Sequence, residues 1–469
     1  MRMTIRLTWS MRVLAVAATM LAAAACNKKS ESAPKAAPAP GGEAEPGGKA
    51  APGGEPAAGE QAAPAAETAT TSCASKGELT MWERSGGNKE MVDMLVAAWN
   101  AKNADCQIKL TYIPHTEMVG KIAQGIASGE VPDLMGMDLI YAPQFEKAHQ
   151  LVDITDRVTS WPELKTASKG HMTVATYEKK LYGVPLYADV SALFYNKDLF
   201  ARAGLDPDKP PTSLAELRSY ADKITKLGGD IKGYYLPGNC AGCNIFTVGP
   251  LMWASGAKIE AAGPGDEPLV GDGVKQVLQF ERDMVKAGNV HAGDRAENGE
   301  TFHLQFGSGK VGMMGTGNFN ITLARQQNPK MKFGIALLPG MEPGSSASFI
   351  GGDLVVVPKG SKRVADAVNV MKFLLSDEVQ VEVYAKALNL TTRSDMIDNK
   401  YFKAEPLVQD VAKALTVGRT PYTLSFFEQI NAPQGPWLQM LQKAYYTKED
   451  LDTIIAEAKK AMKSIADQS

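Results

Sequence analysis

Two spacings of apolar residues alternate along the chain from residue 78 onward. Short runs in which every position, or every second one, is apolar read as strands. The segments between them repeat apolar residues every three or four positions and read as helices. "ELTMW" (78–82) begins the series, followed by a helix with Met91, Met94, Leu95 and Trp99 on one side. "QIKLTYI" (107–113) is the second strand, followed from about Met118 by a helix with Ile122 and Ile126, and "PDLMGMD" (132–138) is the third. Ser213 and Glu216 then form a capping box behind Pro210-Pro211; Leu214, Leu217, Ala221 and Ile224 mark that helix's buried face, and Gly228-Gly229 ends it. A helix over 273–287, strands at "KVGMM" (310–314), "KFGIALLP" (332–339) and "DLVVVPKGS" (353–361), and a helix over about 364–375 follow. The last third is mainly helical, and its final helix starts near Thr447 with Asp450 in its first turn. This alternation predicts βαβ units around a mostly parallel sheet, an α/β fold with enough chain for two lobes.

The pattern fails before residue 78. Arg2, Arg6 and Arg12 lead into an apolar run over 13–25 that ends at Cys26. A bilayer-spanning helix takes about 20 residues, so this run reads as a targeting signal occupying 1–25. Its end resembles the lipobox of bacterial lipoproteins, with Ala23 standing where Leu is usual. The resemblance implies cleavage before Cys26 and lipidation of its thiol; the plainer reading is a secretory signal with an incidental cysteine. Residues 27–72 contain no Val, Ile, Leu, Met or aromatic residue, so they cannot offset the entropy of ordering. They read as a flexible tether spanning roughly 40 Å. Both features predict an exported protein held at a membrane by its lipid. Losing residues 1–25 moves the formal charge from −2 to −5, and nothing in the chain is basic enough to suggest nucleic acid as a partner.

Cys73, Cys106, Cys240 and Cys243 remain, an even number that favours disulfides in an exported chain. Cys73 and Cys106 each precede a predicted strand, and the starts of parallel neighbours lie close, so 73–106 and 240–243 are the expected pairs. "PGNCAGCN" (237–244) holds a CxxC, a spacing that can be redox-active at a helix start. The Gly/Asn-rich surroundings show no clear helix start, which favours a structural disulfide. No second CxxC half-site accompanies it, so zinc is not expected, and no cofactor is.

In open α/β sheets, ligands sit beyond the carboxyl ends of strands. Those ends carry Trp82, Glu83, Arg84 and Ser85; His115, Thr116 and Glu117; Asp138; and Asn318 with Phe319. A further ribbon, "YGVPLYADVSALFYNKDLF" (182–200), places Asp189 between apolar stretches that otherwise look buried.

The run "YGVPLYADVSALFYNKDLFARAGLDPDKPPTSLAEL" (182–217) resembles the signature of the maltose-binding-protein-like family, the solute-binding proteins of sugar ABC transporters. So do "IASGEVPDLMGMD", "FGSGKVGMMGTGNF", "GGDLVVVPKGSKRVADAVNVMKFLLS" and "LNLTTRSDM", in the family's order. The resemblance implies a periplasmic-binding-protein-like type II fold: two α/β lobes joined by crossing segments, closing on a carbohydrate. It implies one lobe from 73–188 with 340–376 and another from 189–339 with 377–469. The crossings are expected at 182–200, near 335–340 and near 376–378. It further implies a monomer that delivers its sugar to permease subunits.

Sugars offer hydroxyls and flat C–H faces, which suit charge-assisted hydrogen bonds and aromatic rings. Trp82 is expected at the floor or rim of the cleft, the alternative being core. Glu83, Ser85, Asp138 and Asn239 are candidate polar contacts, and so is Glu117, although the helix dipole alone would favour a carboxylate there. The family places sugar contacts at Tyr187 and Asp189. Trp253 is read equally as core or ligand contact. Phe319, after Asn318, stands where the family usually has a stacking Trp. Gly352-Asp353 matches a ligand-side loop, the alternative being a tight turn, and Arg393 matches a sugar-binding Arg, the alternative being a surface ion pair. Phe426 and Phe427 read more as helix core than as a stacking wall.

A competing reading is a secreted glycoside hydrolase using two of Glu83, Asp138 and Asp189 as acid and base. No hydrolase motif accompanies them. A third is another solute: ferric iron at Tyr234-Tyr235 or Tyr445-Tyr446, or a polyamine. The chain has no GxxxxGK[ST] loop, so ATP hydrolysis falls to partner proteins.

Overall fold

The computed structural model describes residues 69–85, 89–114 and 117–469. The signal sequence, Cys26, most of the tether, and His115 with Thr116 lie outside the described residues. The folded body begins a little before Cys73: Thr70 N–H donates to Asn369 Oδ1 at 2.9 Å, and Asn369 Nδ2 donates to the Ser72 carbonyl at 2.8 Å.

Eight strands organise the fold: β1 (Leu79–Ser85), β2 (Ile108–Pro114), β3 (Leu134–Asp138), β4 (Gly183–Asn196), β5 (Lys232–Tyr234), β6 (Val311–Gly317), β7 (Phe333–Ala336) and β8 (Ser346–Val356). They are hydrogen-bonded in the order β2-β1-β3-β8-β4-β6-β5, with β7 also on β4. β1 runs parallel to β2 and β3, and β5 to β6, while every pairing of β4 and every pairing of β8 with β3 and β4 is antiparallel. The sheet is therefore mixed rather than mostly parallel. Its parallel parts lie at the two ends, where helical crossovers connect them.

β4 joins the two halves. Over 183–190 it pairs with β8, and over 191–196 with β6 and β7. β8 does the same in reverse: its first residues pair with Leu338–Pro339 and with Gly418–Arg419, its last with β3 and β4. The return crossing thus runs along β8, downstream of the expected 335–340, which instead forms β7 and the short Leu338–Pro339 strand. Each half has its own core. One contains Trp99, Val184, Leu186, Val355 and Phe373; the other lies on both faces of the β4–β6–β5 end. The chain leaves the first core between Tyr384 and Ala385, after the expected 376–378.

Local chemistry explains these elements. Helix α1 (Lys89–Lys102) buries Val92, Leu95 and Trp99; Trp99 meets Phe373 edge-on at 5.4 Å and donates its indole N–H to the Cys106 carbonyl at 3.0 Å. Cys73 and Cys106 are joined as expected, at the aligned starts of β1 and β2. Ser213 caps its helix as expected, but the Glu216 carboxylate reaches back to the Thr212 N–H at 2.7 Å.

Gly351-Gly352 lies inside β8, not in a turn before a strand. Gly352 has φ +114°, and a side chain there would run into the Tyr187 carbonyl. Gly352→Ala should therefore lower unfolding free energy by roughly 1–3 kcal/mol, the range for a strained backbone position. Urea unfolding would measure it; an unchanged midpoint would refute the assignment.

Candidate functional site

The crossing strands alternate with period two, so Tyr187, Asp189 and Ser191 of β4 share a face with Phe349, Gly351 and Asp353 of β8. The register places Tyr187 opposite Asp353 and Asp189 opposite Gly351. Asp138, at the end of β3, stands opposite Asp353 on its other side. Gly351 is bare because the Asp189 carboxylate leans over it.

Arg84, at the end of β1, ties this cluster together. Its Nε lies 2.9 Å from both Asp353 oxygens, and its Nη2 is 2.6 Å from Asp353 Oδ1 and 2.6 Å from the Tyr187 hydroxyl. Asp138 is 3.7 Å away. Asp353 and Glu83 are fully buried, and Glu83 also hydrogen-bonds Asp353. Burial alone would raise the Asp353 pKa; the charge and hydrogen bonds of Arg84, with those of Glu83 and Tyr187, outweigh it and hold the carboxyl low. Asp189 goes the other way. Burial is the largest influence, and repulsion from Asp138 and Asp353 adds to it, so that despite Arg84 and the Gly351 N–H its pKa is pushed up to about 7.

The ribbon is pinned on both sides of Asp189. His171 Nε2 bonds the Tyr187 carbonyl at 2.8 Å and Nδ1 meets Ser168 Oγ at 2.9 Å; burial lowers this imidazole's pKa to about 4. The Tyr384 hydroxyl donates to the Leu186 carbonyl. Asn318 Oδ1 accepts the Val190 N–H at 2.9 Å, and Ser191 Oγ accepts the Phe349 N–H at 2.9 Å.

Beyond Asp189 the same face becomes aromatic. Phe319 lies over Gly317, is 38% exposed, and stacks with Phe246 at 6.5 Å. Phe246 meets Phe349 at 5.5 Å, Phe349 stacks on Trp253 at 6.0 Å, and the Arg419 guanidinium lies 5.5 Å over Trp253. Phe246 and Trp253 come from α2 (Ala241–Ala254), which packs along β8. The two halves also touch nearby: Tyr141 hydrogen-bonds Asn431, and Ile140 packs against both cores.

The structure thus brings together Glu83, Asp138, Tyr187, Asp189, Asn318, Phe319, Gly352 and Asp353. Tyr187 is buried and orients Arg84, so it offers no open ring face in this conformation. Trp253 and Phe349 are buried behind Phe246 and Phe319. Trp82 is half-buried against Gly125, with the Lys121 ammonium 5.3 Å over its ring; Ser85 is exposed, and Glu117 is exposed beside the next helix without capping it. Asn239 is exposed and accepts from Gln442 at 2.8 Å.

Arg393 is not drawn into the cluster. It is buried, and its donors go to Asp377, Asp395 and the Leu375 carbonyl, so it staples one helix end. The adjacent phenylalanines divide: Phe426 is core, whereas Phe427 is 45% exposed. Phe246, Phe349, His171 and Arg419 were not singled out from sequence, and Arg84 was named at its strand end without a role. Phe349 was findable, because it continues the period-two stripe of Gly351 and Asp353.

Two outcomes follow. Arg84→Ala leaves buried carboxylates without their cation and should cost roughly 3–5 kcal/mol of stability, read by urea unfolding. Asp189 binds its proton more tightly folded than unfolded, where a carboxyl titrates near about 4. The stability from that proton is complete below about pH 4 and is lost as pH rises through about 7. The melting temperature of Asp189→Asn minus that of the wild type should therefore grow from pH 5 to pH 8; a constant difference would refute the shift.

The family model "Bacterial extracellular solute-binding protein" matches residues 94–410. A Brucella abortus protein named as a binding protein is 26% identical over 320 residues, 66% of this chain and 75% of its own length. The maltooligosaccharide ABC transporter solute-binding lipoprotein of Streptococcus pneumoniae is 22% identical over 400 residues, 84% of this chain and 90% of its own. Among solved structures, the cyclic alpha-maltosyl-1,6-maltose binding protein of Arthrobacter globiformis gives a TM-score of 0.72 at 22% identity, covering 84% of this chain and 100% of its own. That last likeness shows a shared fold. The family model spans well over half of the sequence, and the chain belongs to the bacterial extracellular solute-binding protein family.

Proposed function

We propose that this protein captures an oligosaccharide between its two lobes and delivers it to the permease of an ABC importer. One observation carries the reading: on a single face of the crossing strands, a pinned carboxylate–guanidinium cluster meets the exposed Phe319 ring and the half-buried Phe246. Asp138, Asp189 and Arg84 would take hydroxyls, and Phe319 with Phe246 would take a sugar's C–H face. Asp353, Glu83 and Tyr187 would act by holding Arg84. The relatives' names support the class, since the Streptococcus pneumoniae protein is named for maltooligosaccharide and the Arthrobacter globiformis one for a cyclic maltose derivative.

In this reading the lobes are 73–190 with 351–384 and 191–350 with 385–469, bounds shifted from those expected because β4, β8 and the segment around Tyr384 are where the chain passes between the cores. A ligand touching both lobes favours the closed arrangement by its extra affinity for it. Export through the 1–25 signal and lipidation of Cys26 would keep the protein beside its permease, with the 27–72 segment as tether.

Calorimetry of the purified protein against a panel of oligosaccharides tests this. We expect saturable binding of at least one glycan without its breakdown, accompanied by a smaller radius of gyration in scattering. Phe319→Ala should weaken that binding about tenfold, or about 1.4 kcal/mol. No binding across the panel and unchanged scattering would overturn the reading, and consumption of the glycan would replace it with a hydrolase.

A further inference from the structure

Cys240 and Cys243 are joined across the first turn of α2. The sequence reading set a redox role aside because no helix start was visible, and the structure supplies one. Cys240 is the N-cap of this 14-residue helix, and its Sγ accepts the Cys243 N–H at 3.0 Å. A sulfur here that gains negative charge meets that N–H and the positive end of the helix.

Two further features, a glycine cover and a short loop, separate this pair from the other disulfide. Gly299, at φ +108°, lies over both sulfurs: a Cβ there would be 3.1 Å from Cys240 Sγ and 3.5 Å from Cys243 Sγ. Its neighbours Asn298 and Glu300 are exposed, and Cys243 is itself only half-buried. Where the sulfurs meet this surface loop, a residue without a side chain covers them. Each disulfide joins one buried cysteine, Cys240 or Cys106, to one half-buried cysteine, Cys243 or Cys73, so the glycine cover and not burial marks this pair. Second, the sequence separations are 3 and 33, so the Cys240–Cys243 link constrains the unfolded chain far less, and losing it costs the fold less stability than losing Cys73–Cys106.

We propose that Cys240–Cys243 is a thiol–disulfide exchange site whose co-substrate is a dithiol, while Cys73–Cys106 is a structural link. One thiolate of the dithiol attacks Cys243 Sγ, forming a mixed disulfide. The Cys240–Cys243 bond breaks, and its electron pair leaves on Cys240 Sγ, held by the Cys243 N–H. The second thiolate of the dithiol then attacks its own partner sulfur in the mixed disulfide and releases Cys243 as a thiolate, which takes a proton from water. Two electrons pass to the protein, and the dithiol ends as a disulfide. The proposal does not depend on what the cleft binds.

The test uses the oxidised, folded protein in graded dithiothreitol, followed by alkylation and peptide mass spectrometry. We expect Cys240 and Cys243 to become alkylated at reductant levels that leave Cys73 and Cys106 joined. Simultaneous opening of both pairs, or earlier opening of Cys73–Cys106, overturns the proposal. A second measurement compares Cys243→Ser, which leaves Cys240 alone, with Cys240→Ser. The pH profile of iodoacetamide modification, which is insensitive to access, should have its midpoint lower for Cys240 than for Cys243 and below the usual value of about 8.5. Equal midpoints would remove the helix-held thiolate on which the mechanism rests.

Discussion

The structure depends on two antiparallel strands, β4 and β8, that belong to both halves at once. Their hydrogen-bond ladder is continuous, apart from one bulge next to Asp353, while their surroundings change from one core to the other. A strand buried on both faces is ordinarily apolar throughout. Here one face must turn polar for the few residues that lie between the cores, and Tyr187, Asp189, Gly351 and Asp353 occupy that stretch. The two glycines are the steric counterpart of the polar residues: Gly351 makes room for the Asp189 side chain, and Gly352 for the Tyr187 carbonyl.

A buried cluster of four carboxyls around one guanidinium is unstable unless its protons and hydrogen bonds are arranged to suit it. The arrangement here is graded. Asp353 receives three short contacts from Arg84 and keeps its charge, Glu83 bonds to it, and Asp189 takes the remaining strain as a raised pKa. The result is a rigid anchor beside a more weakly held carboxyl. A ligand hydroxyl or ammonium arriving at Asp189 would favour its charged form, whereas one arriving at Asp353 would displace Arg84. That asymmetry makes Asp189 the more responsive group and Asp353 the scaffold.

Much of this was legible in the sequence, and what was not has identifiable causes. Strand and helix order followed from apolar spacing, and both disulfides followed from strand starts and cysteine proximity. The sheet's mixed character was missed because the two crossing strands are antiparallel without any hairpin turn to announce it. Gly352-Asp353 read as a ligand-side loop, with a tight turn as the alternative, because glycine usually marks irregular backbone; only the neighbouring strand shows why bare backbone is needed mid-strand. The start of α2 was hidden because this helix is buried almost all round and contains Gly249 and Pro250, so it shows no amphipathic stripe. Arg393 was misassigned because a motif gives a residue's position but not its neighbours, and Asp377 and Asp395 consume its donors.

The pinning of β4 also constrains how the halves can move. His171, Tyr384, Asn318 and Ser191 fix the ribbon at Leu186, Tyr187, Val190 and Ser191, on either side of Asp189, so a sharp bend there would break several buried hydrogen bonds at once. The third link differs: it passes from one core to the other through a π-helical turn, Gln380–Tyr384, followed by a 3-10 turn, Ala385–Ala387. Such turns lack the regular i to i−4 ladder, and changing their register costs less than breaking a β-ladder. Tyr384 belongs to both devices, ending the π-helical turn and bonding Leu186 beside the polar face. A rearrangement of that turn would therefore be felt at the ribbon directly, and motion between the halves should combine twisting of the paired strands with adjustment at Tyr384 rather than a break at the polar face.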